Sequence, residues 1–134
     1  MIKTTELGTS VQLHVDFATA VSRVTEALKA QGFGVLTDID VRDTLKKKLN
    51  VDFRQYRILG ACNPALAHRA LTLAPEVGLL LPCNVTVSEV DDSHTDVSLV
   101  DPRSMLAVVG RPELTPIAEE AGARLDLVVK ALRA

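Results

Sequence analysis

The chain has 134 residues, 47% hydrophobic and 24% charged, with a formal net charge of −2; residues 1–134 read as a single domain, too apolar to be disordered. Only 3% of the residues are aromatic and none is tryptophan, which speaks against a stacking surface for single-stranded nucleic acid and against an aromatic cage for cations. A pI near 5.9 is unlike the basic balance of nucleic-acid-binding domains, and two cysteines, Cys62 and Cys83, are too few for a disulfide scaffold or a four-thiolate zinc site.

Taken in chain order, Val11, Leu13 and Val15 alternate with polar residues and predict a short strand. Asp16 is placed to cap a helix whose apolar positions are Phe17, Ala20, Val21, Val24, Ala27 and Leu28. Gly32 ends that helix in the left-handed position glycine tolerates best. Residues 33–39 predict a strand returning antiparallel or parallel to the first. Asp40 caps a short helix over 40–49, with its lysines in water, and 54–61 predict a further strand. Asn63 and Pro64 suit the cap and first position of a helix running to about Leu73, where Pro75 stops it. Residues 77–90 are strongly β-prone, and Pro82 makes that strand either an edge or bulged. Residues 91–94 form a hairpin turn, 95–100 the partner strand, and Asp101-Pro102 its end. A long amphipathic helix over 112–134 closes the chain, with Gly122 as a weak point inside it. This order predicts an α+β fold, a mainly antiparallel sheet packed against a few helices.

Charge is uneven. Residues 42–57 hold six basic and two acidic side chains, and 89–126 hold nine acidic and three basic. Such halves are ordinary solvated faces, or they steer two copies or an anion together. Gly32-Phe33-Gly34 lies between a helix and a strand, the reverse of a nucleotide-binding loop, and reads as a helix end. The first sixteen residues lack the pattern of a secretory signal, and no run is long and apolar enough to span a membrane. A cytoplasmic location with free thiols is the resulting expectation.

Chemistry is expected where the cysteines sit. Both occur as Cys-Asn pairs, Cys62-Asn63 and Cys83-Asn84, at predicted strand ends. Cys62 lies just before a predicted helix N-terminus, whose dipole favours a thiolate, and His68 lies one turn inside that helix. The cysteines are either small buried hydrophobes, a ligand, metal or redox pair, or a source of one nucleophile. His14 and His94 read as ordinary surface or edge residues.

The words carrying Tyr56, Gly60, Cys62-Asn63-Pro64, Leu80, Pro82 and Cys83-Asn84 closely resemble the bacterial and archaeal domain-of-unknown-function family numbered 302. The resemblance spans nearly the whole chain. It implies a TATA-binding-protein-like β-α-β-sheet-α arrangement and a homodimer, and it implies no reaction. Fold alone does not bring DNA binding with it.

Three functional readings follow. The first is a homodimeric binding module holding a small ligand or metal near Cys62, Asn63, Cys83 and Asn84, with Tyr56 and His68 beside them; a metal would fall to Cys62 and Cys83. The second is a redox protein or enzyme with Cys62 as a low-pKa thiolate and Cys83 as its partner. The third is a purely structural dimer. No cofactor is specified, and neither nucleic acid nor a membrane is expected as a partner.

Overall fold

The structure, a computed structural model, describes residues 2–134. Its elements are β1 (Ile2–Thr4), β2 (Gly8–Leu13), α1 (Phe17–Ala30), β3 (Gly34–Asp40), α2 (Val41–Leu49), β4 (Tyr56–Cys62), α3 (Pro64–Leu73), β5 (Cys83–Asp91), β6 (His94–Val100), α4 (Pro102–Ala107) and α5 (Thr115–Arg133). One six-stranded sheet runs in the order β1-β2-β6-β5-β4-β3, antiparallel throughout. Leaving aside the short strand β1 and the shorter helices α2, α3 and α4, the frame is a strand, a helix, four strands and a helix, in keeping with the α+β expectation.

Local chemistry explains the breaks. Asp16 accepts from the Thr19 N–H at 3.1 Å, and Asp40 from the Asp43 N–H at 3.0 Å, so each caps its helix. Gly32 has φ +82°. There the Phe33 N–H reaches the Leu28 carbonyl at 2.9 Å, closing α1 in a Schellman turn. Strand alternation then sends Val11, Leu13, Leu59, Ala61, Val85, Val87, Val97 and Leu99 to one face. They pack with Phe17, Ala20, Val24 and Leu28 of α1 and Leu125, Val128 and Leu132 of α5 into the main core. The opposite face is polar: Ser10 and Ser98 hydroxyls meet at 2.7 Å, and Gln12 donates to Asp96 at 3.1 Å. Thr95 is buried, and its hydroxyl donates to the Val15 carbonyl at 3.0 Å.

A second core lies at one end of the sheet. Leu66, Ala70, Ala74, Val77, Leu106, Leu114, Ile117, Ala118 and Ala121 form it, drawn from α3, α4, α5 and the turns beside them. Helix α5 belongs to both cores, its first half to this one and its second half to the main one.

The structure corrects several sequence expectations. The predicted strand over 77–90 is a strand only from Cys83. Residues Pro75–Leu80 instead form a 3₁₀ helix, started by the fixed φ of Pro75 and anchored by buried Val77. Pro82 stands before β5, which is an interior strand, so no edge or bulge at proline is needed. Strand β3 does not pair with the first predicted strand; α1 carries the chain across the sheet, and β3 pairs with β4 at the far edge. Val15 lies beyond the end of β2, and β1 and α4 add elements the sequence pattern did not give. Gly122 has a packing reason: a Cβ there would stand 2.5 Å from the Arg103 guanidinium carbon, so glycine lets Arg103 lie across α5. Arg103 thereby reaches Asp101 at 2.9 Å and Asp126 at 3.1 Å, tying α4 to α5.

Candidate functional site

β4 runs inward-facing Leu59 and Ala61 up to the sheet end and delivers Cys62 there. Asn63 then turns the chain. Its side-chain oxygen accepts from the Leu66 N–H at 3.2 Å, and Pro64 takes the first helical position of α3. Opposite, Ala61 pairs with Cys83 and Gly60 with Asn84, so the two cysteines sit diagonally across the end of the β4–β5 ladder. Gly60 is buried there. A Cβ on it would collide with the Thr37 hydroxyl oxygen and stand 2.7 Å from the Pro82 ring, so glycine is what admits Pro82 over β4 beside Cys83.

The cysteines share the wall of a cavity of about 300 Å³. It lies on the seam between the two cores. Phe33 and Ala61 of the main core line one part, and Leu66, Ala70, Leu106, Ile117 and Ala121 of the second core line another. Leu36, Leu71, Leu80, Leu81 and Pro82 also line it, and Met105 adds a third sulfur. No charged side chain lines it among the described residues. Both cysteines are free.

The cavity sets the thiol chemistry. Burial pushes the Cys62 thiol up from its ordinary value. Cys83 is more deeply desolvated and also feels the charge of Cys62, which pushes it up to about 11. Burial against the apolar wall thus acts against the thiolate that the helix terminus beside Cys62 favours.

Of the other residues singled out from sequence, Asn63 reaches the cavity, but with its oxygen engaged in capping. Asn84 is exposed and does not line the cavity. His68 is exposed on α3, two residues from buried Leu66 and therefore on the other side of the helix. Tyr56 starts β4 while Cys62 ends it, roughly 20 Å apart along an extended strand, and its ring packs 6.3 Å from that of Phe53. The aromatic residue of the cavity is Phe33, hidden in the sequence as the residue after a helix-ending glycine. Met105 and Leu106 were missed with α4, although Asp101-Pro102 repeats the cap-then-proline signal read at Asn63-Pro64; Asp101 accepts from the Arg103 N–H at 2.9 Å.

The other two histidines meet elsewhere. His14 and His94 meet edge to face at 4.8 Å. His94 Nδ1 lies 2.8 Å from Asp91, whose carboxyl is held down at about 2 by the Ser93 N–H and then by His94. No group of three or more His, Cys, Asp or Glu side chains converges in a metal-holding arrangement among the described residues. No helix there is long and apolar enough to cross a membrane.

Comparison with known proteins bears on most of the chain. Residues 9–132 match the family described as Domain of unknown function DUF302. A solved structure described as an uncharacterized conserved protein DUF302 from Bacillus stearothermophilus is similar at 30% identity and TM-score 0.83, covering 92% of this chain and 96% of that one. No curated protein matches the sequence.

Proposed function

The chain belongs to the DUF302 family, and on that premise we propose that it is a small binding module whose ligand site is the cavity walled by Cys62 and Cys83. One observation carries this reading. Two separately packed cores leave a space of about 300 Å³ between them, within the size range of ligand pockets and lined, as such pockets are, mainly by apolar side chains. The site residues of this reading are Cys62, Cys83, Phe33, Ala70, Met105 and Asn63. Asn84, Tyr56 and His68 fall outside it. An apolar fragment screen by amide NMR tests it. Shifts are expected at Cys62, Ala70, Cys83 and Met105, and loss of those shifts when Ala70→Leu fills the space. Shifts scattered over the polar sheet face, indifferent to the substitution, would sink it.

Cys62, Cys83 and Met105 share the cavity lining, and sulfur is a soft donor, which supports a second reading in which a thiophilic metal ion is held there. Cadmium added to the reduced protein would then raise thiolate-to-metal charge-transfer absorbance, and Cys62→Ser with Cys83→Ser would abolish it. The redox reading is weakened by the upward direction of both thiols.

We also propose that the protein forms a homodimer through the β3 edge. Support comes from exposed Leu36, Ile39, Leu49, Val51 and Phe53 on and beside that strand, and from α2, which buries none of its residues. An open edge with apolar neighbours favours pairing with a second copy. Sedimentation at micromolar concentration is expected to give a dimer, and Ile39→Lys a monomer. A monomer in both cases argues against this interface.

A further inference from the structure

We propose that the occupant of the cavity is an uncharged, apolar molecule of about a dozen non-hydrogen atoms, held by shape and burial rather than by hydrogen bonds. This rests on reading the cavity as a ligand site and adds the class of ligand it takes.

Size sets the first limit. An apolar cavity of roughly 150 Å³ takes up benzene, and this one is about 300 Å³, room for about twice as many atoms. Charge sets the second. No lysine, arginine, histidine, aspartate or glutamate lines the space among the described residues. A buried charge without a partner is strongly unfavourable, so carboxylates, phosphates and ammonium groups have nothing here to receive them. Hydrogen bonding sets the third. The Asn63 oxygen is occupied by the Leu66 N–H. The remaining polar groups on the wall's side chains are the Asn63 amide NH2 and two thiols, and the thiols are weak donors and acceptors. Every fully buried side-chain nitrogen and oxygen among the described residues has a partner, so no polar side-chain atom behind the wall is left for a ligand to satisfy.

A wall of this kind discriminates by length and volume. Each methylene added to a ligand tightens binding by about fourfold while it remains buried, and the gain stops when the space is full. Leu36 and Leu71, exposed where they line the cavity, form an apolar lip at its mouth.

The test uses the full chain with a series of straight-chain primary alcohols, and with the carboxylates and amines of matching length, at neutral pH. Binding is followed by amide NMR and calorimetry. Alcohol affinity is expected to rise about fourfold per methylene and to level off near a dozen non-hydrogen atoms. The charged counterparts should bind at least tenfold more weakly, and Ala67→Leu, which narrows the space from its partly exposed wall, should shorten the length at which affinity levels off. Carboxylates or amines binding as tightly as the alcohols, or no dependence on length, overturns the proposal. Xenon under pressure separates this failure from failure of the site itself. Xenon shifts at Ala70 and Ala121 without alcohol binding mean a dry cavity of another specificity; no xenon shifts there mean the cavity is not a ligand site.

Discussion

Cys83 concentrates the chemistry of the cavity in one atom. Its thiol is pushed up to about 11 by burial first and by the neighbouring Cys62 second. Two consequences follow from the direction. Alkylation of Cys83 in a Cys62→Ser variant should stay slow at neutral pH and keep rising well past pH 8.5, where an ordinary thiol levels off; levelling near 8.5 would show that the wall does not desolvate the sulfur. Folding is linked to the same proton. The neutral thiol is favoured in the fold, so its contribution is complete below the unfolded value, near 8.5, and is lost as pH rises through about 11. Alkaline unfolding of the parent should therefore begin at lower pH than that of Cys83→Ala, measured by urea midpoints across pH 8–11. Residues of this kind were legible only in part. The Cys-Asn words marked the right strand ends, but the sequence could not say that Asn63 turns inward as a cap while Asn84 turns out. Tyr56, six residues before Cys62, lies at the other end of the same extended strand, because rise along a strand separates what the chain keeps close.

Elements with strong local signals were readable, and those made by tertiary packing were not. Helices α1 and α3 announce themselves through Asp16, Gly32 and Asn63-Pro64, and the hairpin between β5 and β6 through its polar turn. Residues 77–80 look like strand by composition, since an uninterrupted apolar run has no period to separate buried helix from buried strand. Helix α4 carries a clear cap, but six residues are too few to display a helical period. Besides the burial of Pro102 and Leu106, α4 is held by Arg103, which bridges Asp101 before it and Asp126 on α5. Both pairs raise the guanidinium further above its ordinary value. With the side chain about a third exposed, Arg103→Ala should destabilise the protein by about 1 kcal/mol after solvent screening. The effect should shrink in high salt and appear as faster amide exchange in α4 than in α1. An equal change in both helices would mean that Arg103 supports the whole fold and not this junction.

At the scale of the whole molecule, two cores meet along α5 with a cavity at their seam. The main core has sheet on one side and α1 with α5 on the other. The second is built from α3, α4 and the first half of α5, with small residues such as Ala70, Ala74, Ala118 and Ala121. Fewer large apolar contacts mean a lower opening free energy. Hydrogen exchange should show α3 and α4 opening below the global unfolding free energy, with β5, β6 and α1 close to it. A cavity occupant should protect α3 and α4 more than α1; uniform protection across all five helices would show a single cooperative unit. The walls of that cavity also have a common origin in the chain. Helix α3 and its 3₁₀ turn interrupt the run from β4 to β5, and α4 interrupts the run from β6 to α5. All of them leave from connections at one end of the sheet, while the strands keep their register behind them. Insertions and deletions in these connections would reshape the cavity without disturbing strand pairing. Relatives sharing this frame could therefore diverge in what they accommodate through changes in loop length, leaving foldability and specificity under separate selection.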